Sequence, residues 1–291
     1  MKTEPNKAPI TRPAMRYHGS KFRLAPWVLG NFPPHLCYVE SFGGAAGVLL
    51  QKPRAYAEVY NDLDGDMVNF FRVLQDPAQR GRLIELCELT PYAREEFEIA
   101  WLPTDDAIER ARRTCIRAQM GFGSAGATKG TTGFRVDTKR EYGTAQHLWA
   151  DYPATIALVG ARMTGVLVEN LDASRVMHMH DAPSTLHFVD PPYMHSTRSR
   201  TVSNSRGYRH EMSDTDHVAL ISSCRTLSGM VVLCGYPSTL YDDALGDWGR
   251  RTTTARAAGQ RGTSLRTEVL WLNPACSAAL EATRAQPRMF A

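Results

Sequence analysis

The chain reads as an α/β protein built on an open sheet, and three observations in its 291 residues predict that class. Residues 36–40 (Leu-Cys-Tyr-Val-Glu) are a short apolar run that hands over to a glycine-rich stretch at 41–47 and to the apolar start of a helix at 48–50. The rhythm then repeats, with a strand at 55–60 ending in Asn61-Asp62-Leu63-Asp64 and helical apolar spacing at 67–74. Far downstream, 186–189 (Leu-His-Phe-Val) is a further buried strand, cut off by Asp190-Pro191-Pro192-Tyr193. Strand, glycine turn, helix, strand, acid is the front half of a nucleotide-binding α/β unit.

Taken in order, residues 1–13 carry charges and three prolines but no apolar core, which predicts a loose arm rather than a secretory signal. The α/β rhythm runs over 14–75, breaks over 76–153 and resumes over 154–291, so the pattern predicts one discontinuous domain with an insertion. Within the insertion, 92–100 and 107–120 have helical spacing, and 121–133 is rich in glycine and threonine. An insertion of that length is generous for a loop and is usually functional. Beyond it, strands are predicted at 164–169, 186–189 and 230–234, a helix at 214–227, and a closing strand pair around 252–255 and 267–272.

Composition excludes several classes. No apolar stretch approaches the ~20 residues needed to cross a bilayer, so no membrane partner is expected. The six cysteines include no C-x-x-C pair and read as structural thiols in a reducing cytosol. His178-Met179-His180 reads as a solvated loop, and no metal site is expected. Net charge is only +4, but basic residues cluster. Residues 110–140 hold eight Arg or Lys against the single acid Asp137, while 195–210 and 250–266 hold arginines and no acid. Three basic segments rich in Gly, Ser or Thr suit a polyanionic partner with a phosphate backbone.

The glycine turn, Gly43-Gly44-x-x-Gly47, is neither a Walker loop nor the G-x-G-x-x-G of dinucleotide folds. Glycine there lets backbone approach a ligand closely. An acid at the end of the second strand is placed to accept hydrogen bonds from the ribose hydroxyls of an adenosine-containing cofactor, a part that either Asp62 or Asp64 can fill. Glu40, ending the first strand, would repel a pyrophosphate but tolerate a cation, which favours S-adenosylmethionine over NAD. The phrase at 190–193 makes a rigid strand end, since both prolines fix φ near −65° and push Asp190 into an extended conformation. A carboxylate, a carbonyl with no backbone donor close after it and an aromatic ring suit a planar ligand bearing an amine.

The ordered set 16–21 (Arg-Tyr-His-Gly-Ser-Lys), 40–44 (Glu-Ser-Phe-Gly-Gly), Asn61-Asp62 and Asp190-Pro191-Pro192-Tyr193 resembles the Dam-type DNA adenine-N6 methyltransferases in their α arrangement. The resemblance spans about 16–274. It implies a Rossmann-like S-adenosylmethionine-dependent methyltransferase fold, with 14–75 and 154–291 as the catalytic and cofactor-binding domain and 76–153 as an inserted, mainly helical target-recognition domain. By matching position, Tyr17 and Lys21 would contact the cofactor. Glu40, Phe42, Gly43 and Gly44 would line its methionine side, Asp62 its ribose, and Asn170 or Leu171 its adenine. Asp190 and the Pro191 carbonyl would hold the exocyclic amine of a flipped adenine, with Pro192 stiffening the turn and Tyr193 stacking on the base.

Double-stranded DNA would be the partner, in the cytoplasm, with Arg16, Lys129, Arg135, Lys139, Arg140, Arg198 and Arg209 as the candidate contacts. Two positions depart from the family pattern. Ala46 stands where the second glycine of Phe-x-Gly-x-Gly is usual, and Phe122-Gly123 replaces a Tyr-Asn pair in the recognition hairpin. Methylation of cytosine N4 and a catalytically inactive DNA-binding relative are the alternatives, and the oligomeric state is left open.

Overall fold

The computed structural model describes residues 10–128, 132–136, 144–198, 207–259 and 262–285, with backbone alone at 256–259 and 262–264. Seven strands form one sheet: β1 (Cys37–Glu40), β2 (Ala57–Asn61), β3 (Leu167–Glu169), β4 (Thr185–Val189), β5 (Met230–Gly235), β6 (Gly249–Gly259) and β7 (Gly262–Leu272). Their order is β3-β2-β1-β4-β5-β7-β6. The first five are parallel, and β7 enters antiparallel between β5 and β6. This is the Rossmann-like methyltransferase arrangement. Because β1 pairs with β2 on one side and β4 on the other, the chain crosses over in opposite directions from it. That opens a crevice beyond the carboxyl ends of β1 and β4.

The helices are α1 (Ala25–Leu29), α2 (Gly65–Gln75), α3 (Pro77–Leu89), α4 (Arg94–Ile99), α5 (Ala107–Met120), α6 (Ala145–Ala150), α7 (Tyr152–Met163), α8 (Ala173–Met179), α9 (Asp214–Thr226), α10 (Thr239–Ala244) and α11 (Pro274–Ala285). Strand alternation sorts them into two layers. Tyr38, Tyr60, Leu186, Phe188, Val232 and Leu270 face a core shared with α2, α7 and α11. Val189, Val231, Leu233 and Trp271 face α9 and α10, and Val39 with Val59 meets Val176 of α8. Side-chain caps set the helix starts: Asp64 accepts from the Asp66 amide at α2, Asp76 from Ala78 and Gln79 at α3, and Ser213 makes a capping box with Asp216 at α9.

Two local expectations are corrected. No helix starts at 48–50; instead 44–51 is a run of turns, because Gly44 (φ 47) and Ala46 (φ 54) adopt left-handed backbone just where a helix would nucleate. His178 and His180 are not in a solvated loop but at the end of α8, where His178 Nε2 meets Ser223 Oγ at 3.1 Å. The closing strands β6 and β7 also run far beyond their expected ends.

Residues 76–153 are helical over most of their described length, and 121–136 includes a bridge between Gly121 and Phe134. Leu83, Cys87, Cys115, Ile116 and Trp149 join the same apolar core as Phe70 and Phe71 of α2, so these helices pack directly on the sheet's own layer. Among the described residues no three His, Cys, Asp or Glu side chains converge as a metal site would require. No helix there is long and apolar enough to cross a membrane.

Beneath the sheet, Glu58 is buried with two cations. Arg162 donates to both its oxygens (2.6 and 2.9 Å) and Lys52 Nζ lies 2.9 Å away. Burial works against the Glu58 charge, but Arg162 and Lys52 outweigh it and hold the carboxyl below its usual range. Glu58→Ala leaves two buried cations without their carboxylate, so stability is expected to fall by about 3–5 kcal/mol. The readout is the denaturant midpoint at unchanged slope; an unmoved midpoint would show the cluster to be dispensable.

Candidate active site

A cavity of about 350 Å³ opens at the carboxyl edge of β1, β2 and β4. It brings together Tyr17, Lys21, Glu40, Phe42, Gly43, Gly44, Asp62 and Asp190, residues drawn from four separated stretches of chain. The glycines are required by close approach. A Cβ on Gly43 would lie 2.2 Å from the Tyr60 ring, and one on Gly44 would lie 2.7 Å from the Tyr17 ring on a backbone already at positive φ. Tyr60 donates its hydroxyl to the Gly44 carbonyl at 2.7 Å, clamping the turn from below.

Asp62 is the acid that faces into this turn. Its oxygens accept the Gly44 and Asp64 amides, each at 2.7 Å. Burial pushes the Asp62 carboxyl up to about 6, against the pull of those two amides. Asp64 has other duties: it caps α2 and takes Arg209 at 2.7 Å. Asn170 donates to the Asp62 carbonyl at 2.7 Å, and the Leu171 amide donates to Asn61 Oδ1 at 2.9 Å. Both brace the end of β2 from behind, and the cavity wall on that side is Asp172, Ala173 and Ser174. Glu40 is buried, accepting from the Tyr38 hydroxyl (2.7 Å) and the Leu49 amide (2.8 Å). Burial outweighs both bonds and lifts its carboxyl to about 8, so Glu40 is largely neutral at pH 7.

Asp190 follows β4 at the other side of the crevice, its side chain 13% exposed. Lys21 Nζ lies 3.0 Å from Asp190 Oδ1, yet the ammonium directs its hydrogen bond to the Gly19 carbonyl at 2.9 Å. Asp190 Oδ1 is buried, with the Lys21 ammonium as its ion-pair partner. Burial raises Asp190 to about 6, Lys21 pulls it down and Glu268 pushes it up. For Lys21, burial favours loss of the proton, and Asp190 with its neighbours overrides that to keep the ammonium charged.

Tyr193 is 9% exposed and lies outside the cavity lining, while Asp190 and Pro192 lie on it. Its hydroxyl donates to Glu268 Oε2 at 2.6 Å and sits 3.2 Å from Cys234 Sγ. Its ring meets Tyr236 edge-on, with Lys21 Nζ 4.6 Å from the ring centroid. Glu268 was not anticipated. Its only sequence signal is an acid at the start of the apolar run 269–272, on a strand read as core.

Residues 207–212 form part of the roof. Tyr208 stands over Gly19 so closely that a Cβ there would meet its hydroxyl at 1.8 Å. Arg209 bridges Asp64 and Asp66 (2.7 and 2.9 Å), and Asp66 also binds Arg110 and Arg117 of α5 (2.6 and 2.9 Å). Burial opposes the Asp66 charge, but the three guanidiniums hold it down to about 2. Arg198 pairs with Glu211 at 2.8 Å. Of the basic residues singled out for DNA, Arg198 and Arg209 are thus already matched to carboxylates. Arg16 donates to the Gly121 carbonyl at 3.1 Å, and Arg135 is largely buried beside Met120. Lys129, Lys139 and Arg140 lie outside the described residues.

A family model described as D12 class N6 adenine-specific DNA methyltransferase matches residues 17–244, from Tyr17 through both crevice walls to the end of α10. No curated protein matches the chain.

The Lys21–Asp190 contact makes a titration prediction. Lys21→Met removes the charge that pulls the Asp190 carboxyl down, so its midpoint is expected to move above about 6 in a carboxyl ¹³C titration. A midpoint that stays put or falls would mean that Lys21 does not govern Asp190.

Proposed function

The chain belongs to the D12 class N6 adenine-specific DNA methyltransferases, which transfer a methyl group to the N6 amine of adenine in DNA, and on that premise we propose that S-adenosylmethionine is the donor, that the adenine is flipped out of a duplex, and that the two meet in the cavity at the ends of β1 and β4. The observation that carries this reading is Asp190, a buried carboxylate at the end of β4 that lies on the cavity wall and is held in ion-pair contact by Lys21. A carboxylate has about four acceptor sites, so one ammonium leaves capacity for an incoming amine.

The residues present fit an adenosine-bearing cation. Gly43 and Gly44 leave no room for a side chain, Asp62 offers carboxylate lone pairs beside the turn, and Tyr17, Phe42 and Glu40 line the remainder. Asn170 and Leu171 act on this half by bracing β2. Bound S-adenosylmethionine supplies an electrophilic methyl group on its sulfonium.

The protein's part is to make a poor nucleophile usable. The adenine amine has its lone pair delocalised into the ring. Accepting its two hydrogens at Asp190 and at the Pro191 carbonyl favours a tetrahedral nitrogen with a directed lone pair, and Pro192 brings no backbone donor to compete. Lys21 keeps Asp190 ionised despite burial, and catalysis is then positioning and local electrostatics. Flipping costs a few kcal/mol. Stacking on Tyr193, worth about 1–3 kcal/mol, offsets part of it. Lys21 covers one face of that ring, so stacking there requires the ammonium to withdraw. In this reading 76–153 recognises the target, Arg16, Lys129, Lys139 and Arg140 remain proposed DNA contacts, and Arg198 and Arg209 order the roof.

Three outcomes are expected. Asp190→Ala abolishes methyl transfer to duplex DNA, measured with labelled donor, while DNA binding persists; transfer retained in that variant would sink the assignment. An inactive relative would instead bind DNA and transfer nothing even with Asp190 in place. Asp62→Ala weakens donor binding by roughly ten- to a hundredfold in calorimetry, the worth of about 1.5–3 kcal/mol for hydrogen bonds to a charged group. Because Asp190 must be ionised to accept the amine and burial sets it near 6, kcat at saturating donor is expected to fall as pH drops through about 6.

A further inference from the structure

We propose that the β6–β7 ribbon is a second DNA-contacting arm, with Arg266 taking a backbone phosphate beside the target nucleotide. The proposal rests on the DNA-methylating reading of the site. Pairing between β5 and β7 stops at Gly235 with Val269, yet β6 and β7 stay paired for seven more positions, from Thr253 with Glu268 to Gly259 with Gly262. At ~3.4 Å per residue the free ribbon projects on the order of 20 Å past the sheet. Since β7 runs against β5, it leaves from the carboxyl edge, the edge that carries Asp190 and Tyr236.

The ribbon is fastened to the site. Glu268, buried at the root of the free part, accepts the Tyr193 hydroxyl at 2.6 Å. Side chains two apart on a strand share a face, so Arg266 lies on the face of Glu268 and one step further out, near enough to Tyr236 to act on it. Its charge is felt there: burial and Glu268 push the Tyr236 hydroxyl up, and Arg266 pulls against them. Arg266 is half-buried and has no ionic partner among the described residues. By contrast, Arg250 at the base of β6 is bound to Asp242 at 3.2 Å. Thr252, Thr254 and Thr267 are exposed on the opposite face. A guanidinium with no ionic partner among the described residues, on a rigid strand one step beyond Glu268, has the chemistry of a phosphate clamp. A two-stranded ribbon is also slender enough to lie along a groove.

The test measures duplex DNA affinity at several salt concentrations for the wild type, Arg266→Ala, Arg266→Lys and Arg250→Ala, with methyl transfer by the wild type assayed alongside. Arg266→Ala is expected to weaken binding several-fold and to lower the slope of log affinity against log salt by about 0.9, the share of one phosphate. Arg266→Lys is expected to restore the slope, and Arg250→Ala to keep it. Donor affinity, unchanged in every variant, reports intact folding. An unchanged slope in Arg266→Ala, or an equal fall in Arg250→Ala, overturns the ribbon proposal. Failure of the wild type to methylate DNA overturns the reading beneath it.

Discussion

The contact between the Lys21 ammonium and Asp190, 3.0 Å apart and almost out of water, sets the terms for everything around it. Three carboxylates converge on one crevice, and burial pushes all of them toward neutrality. What distinguishes them is the company each keeps. Glu40 has two uncharged hydrogen-bond donors and rises to about 8. Asp62 has two backbone amides and Asp190 has a cation, and each stops near 6. At neutral pH the crevice therefore presents charge at Asp62 and Asp190 and a neutral acid between them. Lys21 belongs to the segment 17–21, whose Tyr17 also packs on Gly44, so the same short stretch sets the charge of one wall and the shape of the other.

A second electrostatic assembly fastens the roof segment above the crevice. Asp66, in the first turn of α2, takes Arg110 and Arg117 from α5 and Arg209 from the roof. Three segments far apart in sequence meet on one carboxylate: α2 and α5 from the β2–β3 connection and the roof from the β4–β5 connection. The apolar core agrees, since Cys115 and Ile116 of α5 are continuous with Phe70 and Phe71. Movement in the helices of 76–153 would thus be felt at the cavity through both packing and charge.

The parallel strands were legible because each is a short apolar run bounded by breakers, and the two walls were legible because glycines, Asp62 and the Asp-Pro-Pro-Tyr phrase are local in the chain. What escaped was non-local or conformational. The expected helix at 48–50 fails because two left-handed residues precede it, a backbone state that alanine at 46 does not advertise. Apart from Leu265 and Glu268, the free part of the ribbon is Gly, Ala, Arg, Ser and Thr with no apolar alternation, so its pairing is fixed by the hairpin and not by an apolar face. Glu268 meets Tyr193 across 75 residues, and Arg209 meets Asp66 across 143. Spacing along the chain carries no trace of such pairings.

The strand order has a consequence for how the protein is made. Central β1 pairs with β2 about as soon as both exist, but its other neighbour, β4, arrives only after the whole helical stretch has been synthesised. Contacts this distant in sequence are slow to form, because loop closure must precede their reward. The front strands and the helices on them share one core and can begin to condense first. Lys21 then waits for Asp190, and Tyr193 waits for Glu268 on β7. A nascent chain can therefore hold much of the cavity floor while lacking the wall on which the chemistry depends, and competence comes late and at once.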